Sequence, residues 1–164
     1  MASEHSMDII VQFDFQELKN AVEQTKKECI TRYDLKDSNI EIELSDENIK
    51  LNTANEFQME TVYGVLLGKT IVRGLSGKIF DRQKVEEAGG MRFRQEIKLI
   101  KALDQENAKK ISQIIRENFP KSKAVIQGTT LRITSKSIDE LQEIMAHLKK
   151  IDSLKVPLQF TNYR

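Results

Sequence analysis

MRFRQEIKLIKAL, the stretch from Met91 to Leu103, decides how this chain folds. From Met91 to Leu99, mostly apolar side chains alternate with charged ones, a period of two that predicts a strand with one face on a core. The charged set points to the other face, toward water or a ligand, and consists of Arg92, Arg94, Glu96 and Lys98. Because similar elements precede and follow it, this strand is expected to be the hinge of a two-part molecule.

The residues before this strand predict four elements. Residues 8–13 alternate as a strand, and Asp14 with Glu17 three residues later is typical of a helix start. Residues 40–52 then predict a hairpin, and Asn55 caps a second helix that runs to about residue 72. Gly64 and Gly68 on this helix either permit a close backbone approach or are simply tolerated.

The residues after it repeat this order. Asp104 caps a helix, a hairpin turns around Gly128, and Ser137 caps another helix before a last strand at 158–161. Matched elements are offset by about 83 residues, and such self-similarity indicates duplicated units. Each unit follows the split βαβ, ferredoxin-like pattern, but the strand at 91–100 would have to serve both sheets.

Exchange of the leading strands resolves this conflict. Strand 91–100 would close the first sheet, while strand 8–13 crosses over to the second. The predicted fold class is therefore α+β: two ferredoxin-like domains, each a four-stranded antiparallel sheet with two helices on one face, and with N-terminal strands exchanged between domains. The first domain spans 14–103, and the second combines 104–164 with the leading strand.

A glycine-rich connector spans residues 74–90, with at most a short strand at Lys78 to Phe80. Together with its cations, the connector could wrap a phosphate group with backbone amides, but no GxxxxGK[ST] or GxGxxG motif is present, and a flexible linker is the commoner explanation. These cations, with the arginine just before them, are Arg73, Lys78, Arg82 and Lys84.

The composition argues against several function classes. Acidic and basic residues nearly cancel, to a formal charge of +1, which disfavours a general phosphate-neutralising nucleic-acid binder. Cys29 falls on an apolar helical stripe without a nearby base and predicts a core thiol. His5, expected in a disordered tail, and His147 are too few for a metal centre or an acid–base pair. We therefore expect no enzyme, no catalytic residue, no metal and no cofactor.

The sequence also carries signals about location. It has no signal peptide and no apolar run of bilayer length, which predicts a cytoplasmic protein without a membrane partner.

Four segments carry a resemblance that covers essentially the whole chain: DFQELKNAVEQTKKECITRYDLKD, KVEEAGGMRFRQEIKLIKAL, AVIQGTTLRITSKSIDELQ and LQFTNYR. They closely resemble the YajQ family of bacterial nucleotide-binding proteins, most of all its cyanobacterial branch. The resemblance implies paired ferredoxin-like domains with exchanged N-terminal strands, a cytosolic location, and binding of nucleotides and RNA. For some members it implies a cyclic di-GMP effector that contacts a transcription regulator.

The chain departs from the family pattern at two positions. Thr129 follows Gln127 and Gly128 where the family usually has an Asp, so a carboxylate role at this turn is in doubt. Leu35 stands where Phe is common, which removes a ring that could stack on a base.

Candidate ligand contacts begin in the RYDLK segment. Arg32 offers a guanidinium fork, Tyr33 a ring and Lys36 a point charge, all at a helix end. The structural alternative is that Tyr33 packs beneath the loop while Arg32 pairs with Asp34 or Asp37. Helix C-termini also repel anions, which counts against the ligand role.

Two further sets lie on predicted outer sheet faces. Arg92, Arg94 and Lys98 form a cationic strip, unless glutamates on the same face neutralise it across the strands. Both interpretations stay open. In the second sheet, Gln127 and Arg132 belong to a polar set suited to hydrogen bonds with base edges, and this set lacks the aromatic rings of an RNA recognition motif.

The resemblance implies the ligand class, and the local cation clusters supply the sites: together they predict a non-enzymatic binding protein for a nucleotide, cyclic di-GMP or RNA such as tRNA. The alternative is a protein-interaction adaptor whose open sheet faces or edge strands dock a partner such as a transcription regulator, with nucleotide tuning the contact. Near-zero net charge and scarce aromatic side chains favour the adaptor over a general RNA binder.

Overall fold

The computed structural model describes residues 4–151, 154 and 156–164. These residues form two compact units. The central unit spans residues 13–99, and the terminal unit joins the described residues up to Gln12 with those from Ile100 onward. Each unit holds one antiparallel sheet and two α-helices, an α+β arrangement compatible with two ferredoxin-like domains.

The elements are numbered in chain order. The strands are β1 (His5–Val11), β2 (Glu41–Leu44), β3 (Asn48–Thr53), β4 (Phe80–Arg82), β5 (Glu86–Ala88), β6 (Arg92–Leu99), β7 (Lys123–Gln127), β8 (Thr130–Ser135) and β9 (Leu158–Thr161). The α-helices are α1 (Phe15–Thr31), α2 (Glu56–Val72), α3 (Gln105–Asn118) and α4 (Ile138–Lys149), and a short 3-10 helix covers Gly77–Ile79.

The predicted N-caps begin the α-helices. Asp14, Asn55, Asp104 and Ser137 each accept a hydrogen bond on the side chain from a backbone amide two or three residues later. Each cap satisfies an amide that the helix itself leaves without a partner. These four predicted caps are confirmed. Sequence could locate them because a cap depends only on neighbouring residues.

The terminal sheet has the strand order β7-β8-β1-β9. The central sheet has the order β2-β3-β6-β4, and β5 also pairs with β6. The prediction of four strands is correct for the terminal sheet and wrong for the central one, which has five. Residues 74–90, expected to be a connector with at most a strand at 78–80, supply β4 and β5. Ile79 and Phe80 anchor this segment because both are buried in the central core.

The leading strand lies slightly earlier than residues 8–13. It spans His5–Val11, so His5 is part of the sheet and not of a tail. β1 pairs antiparallel with β8 and β9, whereas β6 pairs with β3, β4 and β5. Phe13 instead packs against the central core, and Leu103, assigned above to the first domain, packs in the terminal core.

One buried cluster joins the helices to the sheet in each unit. In the central unit, Leu18 of α1 and Leu66 of α2 pack with Ile97 of β6 in the same cluster, which puts both helices on one sheet face. Ile97 and its cross-strand partner Ile49 are fully buried. Burial of each such side chain stabilises the fold by about 2 kcal/mol. The opposite face of the central sheet is consequently free for polar residues.

Candidate functional site

The contacts predicted in the RYDLK segment lie at the end of α1. Arg32 donates to Asp34 over 2.7 Å and to Glu28 over 3.4 Å, and the hydrogen bond with Asp34 raises the pKa of Arg32. Tyr33 is 91% exposed, and Lys36 is exposed as well. Arg32 therefore pairs with Asp34, as the structural alternative to a ligand contact predicted. Tyr33 does not pack beneath the loop.

Leu35 is a core residue of the central unit. It is 1% exposed and belongs to the buried cluster beneath the helices. A phenylalanine at this position would therefore pack in the core, and the difference from the family concerns packing more than base stacking.

Arg92 is held by oxygen atoms of the protein itself. Its Nε donates to the side chain of Asn52 over 2.7 Å, and its terminal nitrogens donate to the carbonyls of Ser38 and Asn39 over 2.6 and 2.8 Å. A guanidinium with five N–H donors suits such a fixed cluster of acceptors. Arg92 therefore fastens the loop after α1 to β6, and little of its donor capacity is left for a ligand.

Arg94 and Lys98 point to the polar face of the central sheet, as the alternation predicted. The side chain of Arg94 is 64% exposed and lies 3.3 Å from a carboxylate oxygen of Glu86. Lys98 is exposed, and its cross-strand neighbours are Asn48 and Asp81. Cations and anions thus alternate across this face, and Glu86 on β5 is the neutralising glutamate observed for Arg94.

An irregularity of the sheet opens a pocket on this face. β4 pairs with residues 97–99 and β5 with residues 92–94, so residues 83–85 stand opposite Gln95 and Glu96 as a bulge. The amide of Gln83 donates to the carbonyl of Glu96 over 2.9 Å. The resulting bulge pocket has a volume of about 360 Å³ and is lined by Asn48, Lys50, Gln83, Lys84, Glu86, Arg94, Gln95 and Glu96.

Two of the three cations in the bulge pocket are unpaired. Lys50 and Lys84 have no ion-pair or hydrogen-bond partner among the residues that the structure describes. Arg94 is shared with Glu86, and Glu96 accepts a hydrogen bond from Asn48 over 2.6 Å. The pocket therefore combines free ammonium groups with amides and partly neutralised carboxylates, a set that can bind an anionic, hydrogen-bonding ligand.

Two arginines of the connector set, Arg73 and Arg82, serve the fold. Arg73 pairs with Glu17 over 3.3 Å. Arg82 makes a bidentate contact with Glu60 at 2.7 and 3.1 Å and stacks over the ring of Tyr63 at 3.9 Å. The hydrogen bond from Arg82 lowers the pKa of Glu60. Both arginines hold the connector on the central unit, and only Lys84 of the expected phosphate-wrapping set reaches the bulge pocket.

The predicted contacts of the terminal unit lie on its polar sheet face. Arg132 donates to both carboxylate oxygens of Asp8, over 3.0 and 3.4 Å, and Asn162 donates to the same carboxylate over 2.9 Å. The hydrogen bond from Arg132 holds the pKa of Asp8 below its usual value. Gln127 is exposed at the end of β7. Arg132 is therefore engaged within the unit, and Gln127 is open.

Cys29 offers no nucleophile. It is 4% exposed, and burial raises the pKa of its thiol to about 11, so the thiolate is scarce at neutral pH. In the described part of the chain, no cluster of three or more His, Cys, Asp or Glu side chains is arranged to hold a metal ion.

The predicted contact set missed most of the bulge pocket. Arg94 is the one member of the predicted contact set that lines it, and Lys50 lies in the hairpin predicted for residues 40–52. Gln83 and Lys84 could not be placed, because the bulge depends on the pairing of two three-residue strands with β6. The usable signal was the apolar pair Ile79 and Phe80 at the start of β4.

The fold defines a class: a two-unit α+β protein in which each unit has one antiparallel sheet packed against two α-helices. Within the described residues, no helix combines the length and the apolarity needed to cross a bilayer. The family model described as Nucleotide-binding protein YajQ-like matches residues 5–164. The chain belongs to this family, which confirms the resemblance of its four segments.

The similar curated proteins are cyanobacterial and equally long. Proteins named nucleotide-binding protein from Trichodesmium erythraeum and Nostoc punctiforme are each 51% identical over 164 residues, covering all of both chains. A nucleotide-binding protein of Acaryochloris marina is 49% identical over the same length. The similarity to the cyanobacterial branch is thus confirmed.

Proposed function

We propose that this chain is a non-enzymatic nucleotide-binding protein and that the bulge pocket holds the nucleotide. The names of its full-length relatives support the ligand class. The observation that carries the proposal is the pair of unpaired ammonium groups, Lys50 and Lys84, beside Arg94 in one pocket. A volume of about 360 Å³ is within the range of small-ligand sites.

The chemistry of binding follows from the lining. Lys50 and Lys84 act as point charges for phosphate oxygens. The guanidinium of Arg94 can also bind phosphate oxygens once its ion pair with Glu86 is broken. The amides of Asn48 and Gln83 donate and accept hydrogen bonds at the edges of a base. No aromatic side chain is among the lining residues, so recognition relies on hydrogen bonds and charge more than on stacking.

The two carboxylates of the bulge pocket limit the expected affinity for a nucleotide. Glu86 and Glu96 oppose a phosphate, so the net attraction is smaller than that of a purely cationic pocket. Binding should therefore be moderate and should weaken with salt, because the cations are exposed to solvent.

The other predicted contacts take different roles in this proposal. Tyr33 and Lys36 are both exposed in the loop after α1 and form a secondary contact, with the ring on a base and the ammonium on a phosphate. Arg32 stays paired with Asp34, and Arg92 positions the loop that carries them. Lys98 extends the cationic strip beyond the pocket.

The polar face of the terminal sheet is the proposed contact for a longer ligand. Gln127 is open for hydrogen bonds with base edges, and Arg132 contributes only if it leaves Asp8. An RNA such as tRNA would use this face, whereas a mononucleotide or cyclic di-GMP would use the bulge pocket alone.

Titration separates these ligands. The purified protein is titrated with ATP, GTP, cyclic di-GMP and tRNA at about 50 mM and about 200 mM salt. Saturable binding of at least one nucleotide at low salt, weaker at high salt, supports the proposal. Absence of saturable binding to all four at low salt would overturn it.

A protein-interaction adaptor is the second candidate. Large apolar side chains stand exposed on both units, among them Phe57 at 79%, Val72 at 85% and Val125 at 50%, and exposed apolar surface often marks a contact site. The test is capture of a partner with and without nucleotide. Equal recovery in both conditions favours the adaptor, and recovery that requires nucleotide favours the ligand-binding function.

We further propose that the units are duplicated ferredoxin-like domains that have exchanged their leading strands. The antiparallel pairing of β1 with β8 and β9, and of β6 with β3, supports this proposal. The domain limits would then fall near Gln12 and Leu99, where the two compact units meet along the chain.

A further inference from the structure

A groove runs along the open edge of the terminal sheet. It lies between α3 and β7, has a volume of about 640 Å³, and we call it the edge groove. Ala124, Val125 and Ile126 of β7 line one side, and Lys109, Ser112 and Arg116 of α3 line the other. The bulge pocket belongs to the central unit, so the edge groove is a separate feature of the molecule.

The strand side of the edge groove offers free backbone groups. Among the strands of the described residues, β7 is at the edge of its sheet and has β8 as its one neighbour. The hairpin turns at Gly128, with Gln127 opposite Thr130, so in a regular β-turn the carbonyl of Gln127 accepts from the amide of Thr130. Because bonded and non-bonded pairs alternate along an antiparallel ladder, Ala124 and Ile126 direct their amides and carbonyls to the open side. An extended peptide can pair with these groups.

The helix side of the edge groove is cationic. Lys109 and Arg116 have no ion-pair or hydrogen-bond partner among the described residues. Glu117 is the acidic member of the lining, and its carboxylate accepts a hydrogen bond from Gln113 over 3.1 Å. Lys123 adds an exposed cation at the start of β7. The charge of the groove therefore complements an acidic partner.

The edge groove also has an unpaired hydroxyl group and an exposed apolar side chain that a bound peptide could contact. The hydroxyl oxygen of Ser112 is buried and has no hydrogen-bond partner in the part of the chain that the structure describes. Such a group is costly to leave without a partner, and a peptide amide can supply one. Val125 is 50% exposed and gives an apolar contact for an alternating side chain.

We propose that the edge groove binds an acidic, extended segment of a partner protein, which adds a strand next to β7. Main-chain hydrogen bonds to Ala124 and Ile126 would give affinity, and carboxylates facing Lys109 and Arg116 would give selectivity. This inference rests on the adaptor function proposed above and names its surface. It is independent of the nucleotide pocket.

The charges also argue against a second copy as the occupant. Pairing of β7 with another β7 would bring the cations of both grooves, Lys109, Arg116 and Lys123, to the same interface. Like charges across paired strands are destabilising. A partner of opposite charge meets no such penalty.

The probe is a short synthetic peptide that alternates Glu with Val and carries fluorescein. Anisotropy is measured as the full-length protein is added. We expect saturable binding of the Glu–Val peptide. The affinity for a peptide that alternates Lys with Val should be lower by about tenfold or more. An N-methylated Glu–Val peptide, which lacks the amide donors of one edge, should bind at least about tenfold more weakly. Equal binding of all three peptides would overturn the proposal.

Charge reversal in the groove tests the assignment to α3. The variant with Lys109→Glu and Arg116→Glu should lose about tenfold or more in affinity for the acidic peptide. The matched control carries Lys136→Glu and Lys150→Glu, two exposed lysines of the same unit outside the groove, and should bind as the wild type does. Comparable circular dichroism and urea midpoints show that both variants are folded. An equal loss in both, or no loss in the groove variant, contradicts the proposal.

Two further experiments distinguish a wrong assignment of the edge groove from general polyanion binding and from failure of the adaptor function. A uridylate oligomer at low salt should not displace the acidic peptide, and displacement would mean that the groove binds polyanions in general, which overturns the proposal. Partner capture is repeated with the groove variant. If the peptide fails to bind while capture is unchanged by Lys109→Glu with Arg116→Glu, the edge groove is wrong and the adaptor function stands.

Discussion

The guanidinium of Arg132 donates to the carboxylate of Asp8 over 3.0 Å and so joins β8 to β1, although 124 residues separate them in sequence. The Asp8 side chain is 6% exposed, and that of Arg132 is 40% exposed. Asn162 completes the contact from the end of β9. A buried carboxylate on the polar face of a sheet is tolerated because it is paired and hydrogen-bonded.

The first prediction concerns the pH dependence of this pair. Arg132 lowers the folded-state pKa of Asp8 below its ordinary value of 3.8, so the pair stabilises the fold above that value and its contribution is lost as the pH falls through the folded pKa. The variant Arg132→Met should have a lower urea midpoint at about pH 7, and its difference from the wild type should shrink below about pH 4. A difference that stays constant with pH would contradict this role.

The second prediction concerns Arg92. Arg92→Lys cannot bridge Asn52, Ser38 and Asn39 at once, and we expect the free energy of unfolding to fall by about 1–2 kcal/mol. Amide exchange in residues 34–39 should accelerate. The matched control is Arg94→Lys on the same strand, whose exposed pair with Glu86 should change stability by less than about 0.5 kcal/mol. If both substitutions lowered the free energy of unfolding equally, the role assigned to Arg92 would be contradicted.

The third prediction concerns the glycines of α2. Apart from the neighbouring backbone of α2, no atom of the described residues lies within 4 Å of a Cβ built on Gly64 or Gly68, so close approach to another part of the described chain does not explain them. Gly64→Ala and Gly68→Ala should each raise the free energy of unfolding by about 1 kcal/mol through helix propensity. Gly128→Ala should do the opposite, because its φ of +62° is strained for a residue with a Cβ. Urea unfolding of the three variants decides this.

The fourth prediction concerns the proposed exchange of the leading strands. Ile133 of β8 and Ile49 of β3 are both fully buried, and truncation of either to Ala should cost about 2–5 kcal/mol. Amide exchange in residues 5–11 should accelerate with Ile133→Ala, because β1 pairs with β8. It should change much less with Ile49→Ala. If residues 5–11 respond to Ile49→Ala instead, the proposed exchange is wrong.

Local features of the fold were readable from sequence. The caps at Asp14 and Asn55 and the alternation from Arg92 to Leu99 each depend on neighbouring residues alone. The pairings of Arg92 and Asp8 depend on residues far along the chain. A period of two shows that both side chains point outward, but it cannot show which oxygen or guanidinium each will meet.

The candidate site was only partly readable for the same reason. β4 and β5 are three residues each, too short for a period to emerge, and β6 holds them by pairing. Their bulge places Lys84 and Lys50 in the lining of one pocket, although the sequence assigned these residues to a connector and to a hairpin. A pocket assembled by pairing is invisible to any pattern within one segment.

The central claim is tested most directly by removing the two free ammonium groups of the bulge pocket. The double variant Lys50→Gln with Lys84→Gln is titrated beside the wild type with the nucleotide that binds best at about 50 mM salt. Its control carries Lys19→Gln and Lys27→Gln, two exposed lysines of α1 outside the pocket. We expect the pocket variant to lose about tenfold or more in affinity and the control to match the wild type. Unchanged affinity in the pocket variant, or an equal loss in the control, would contradict the account.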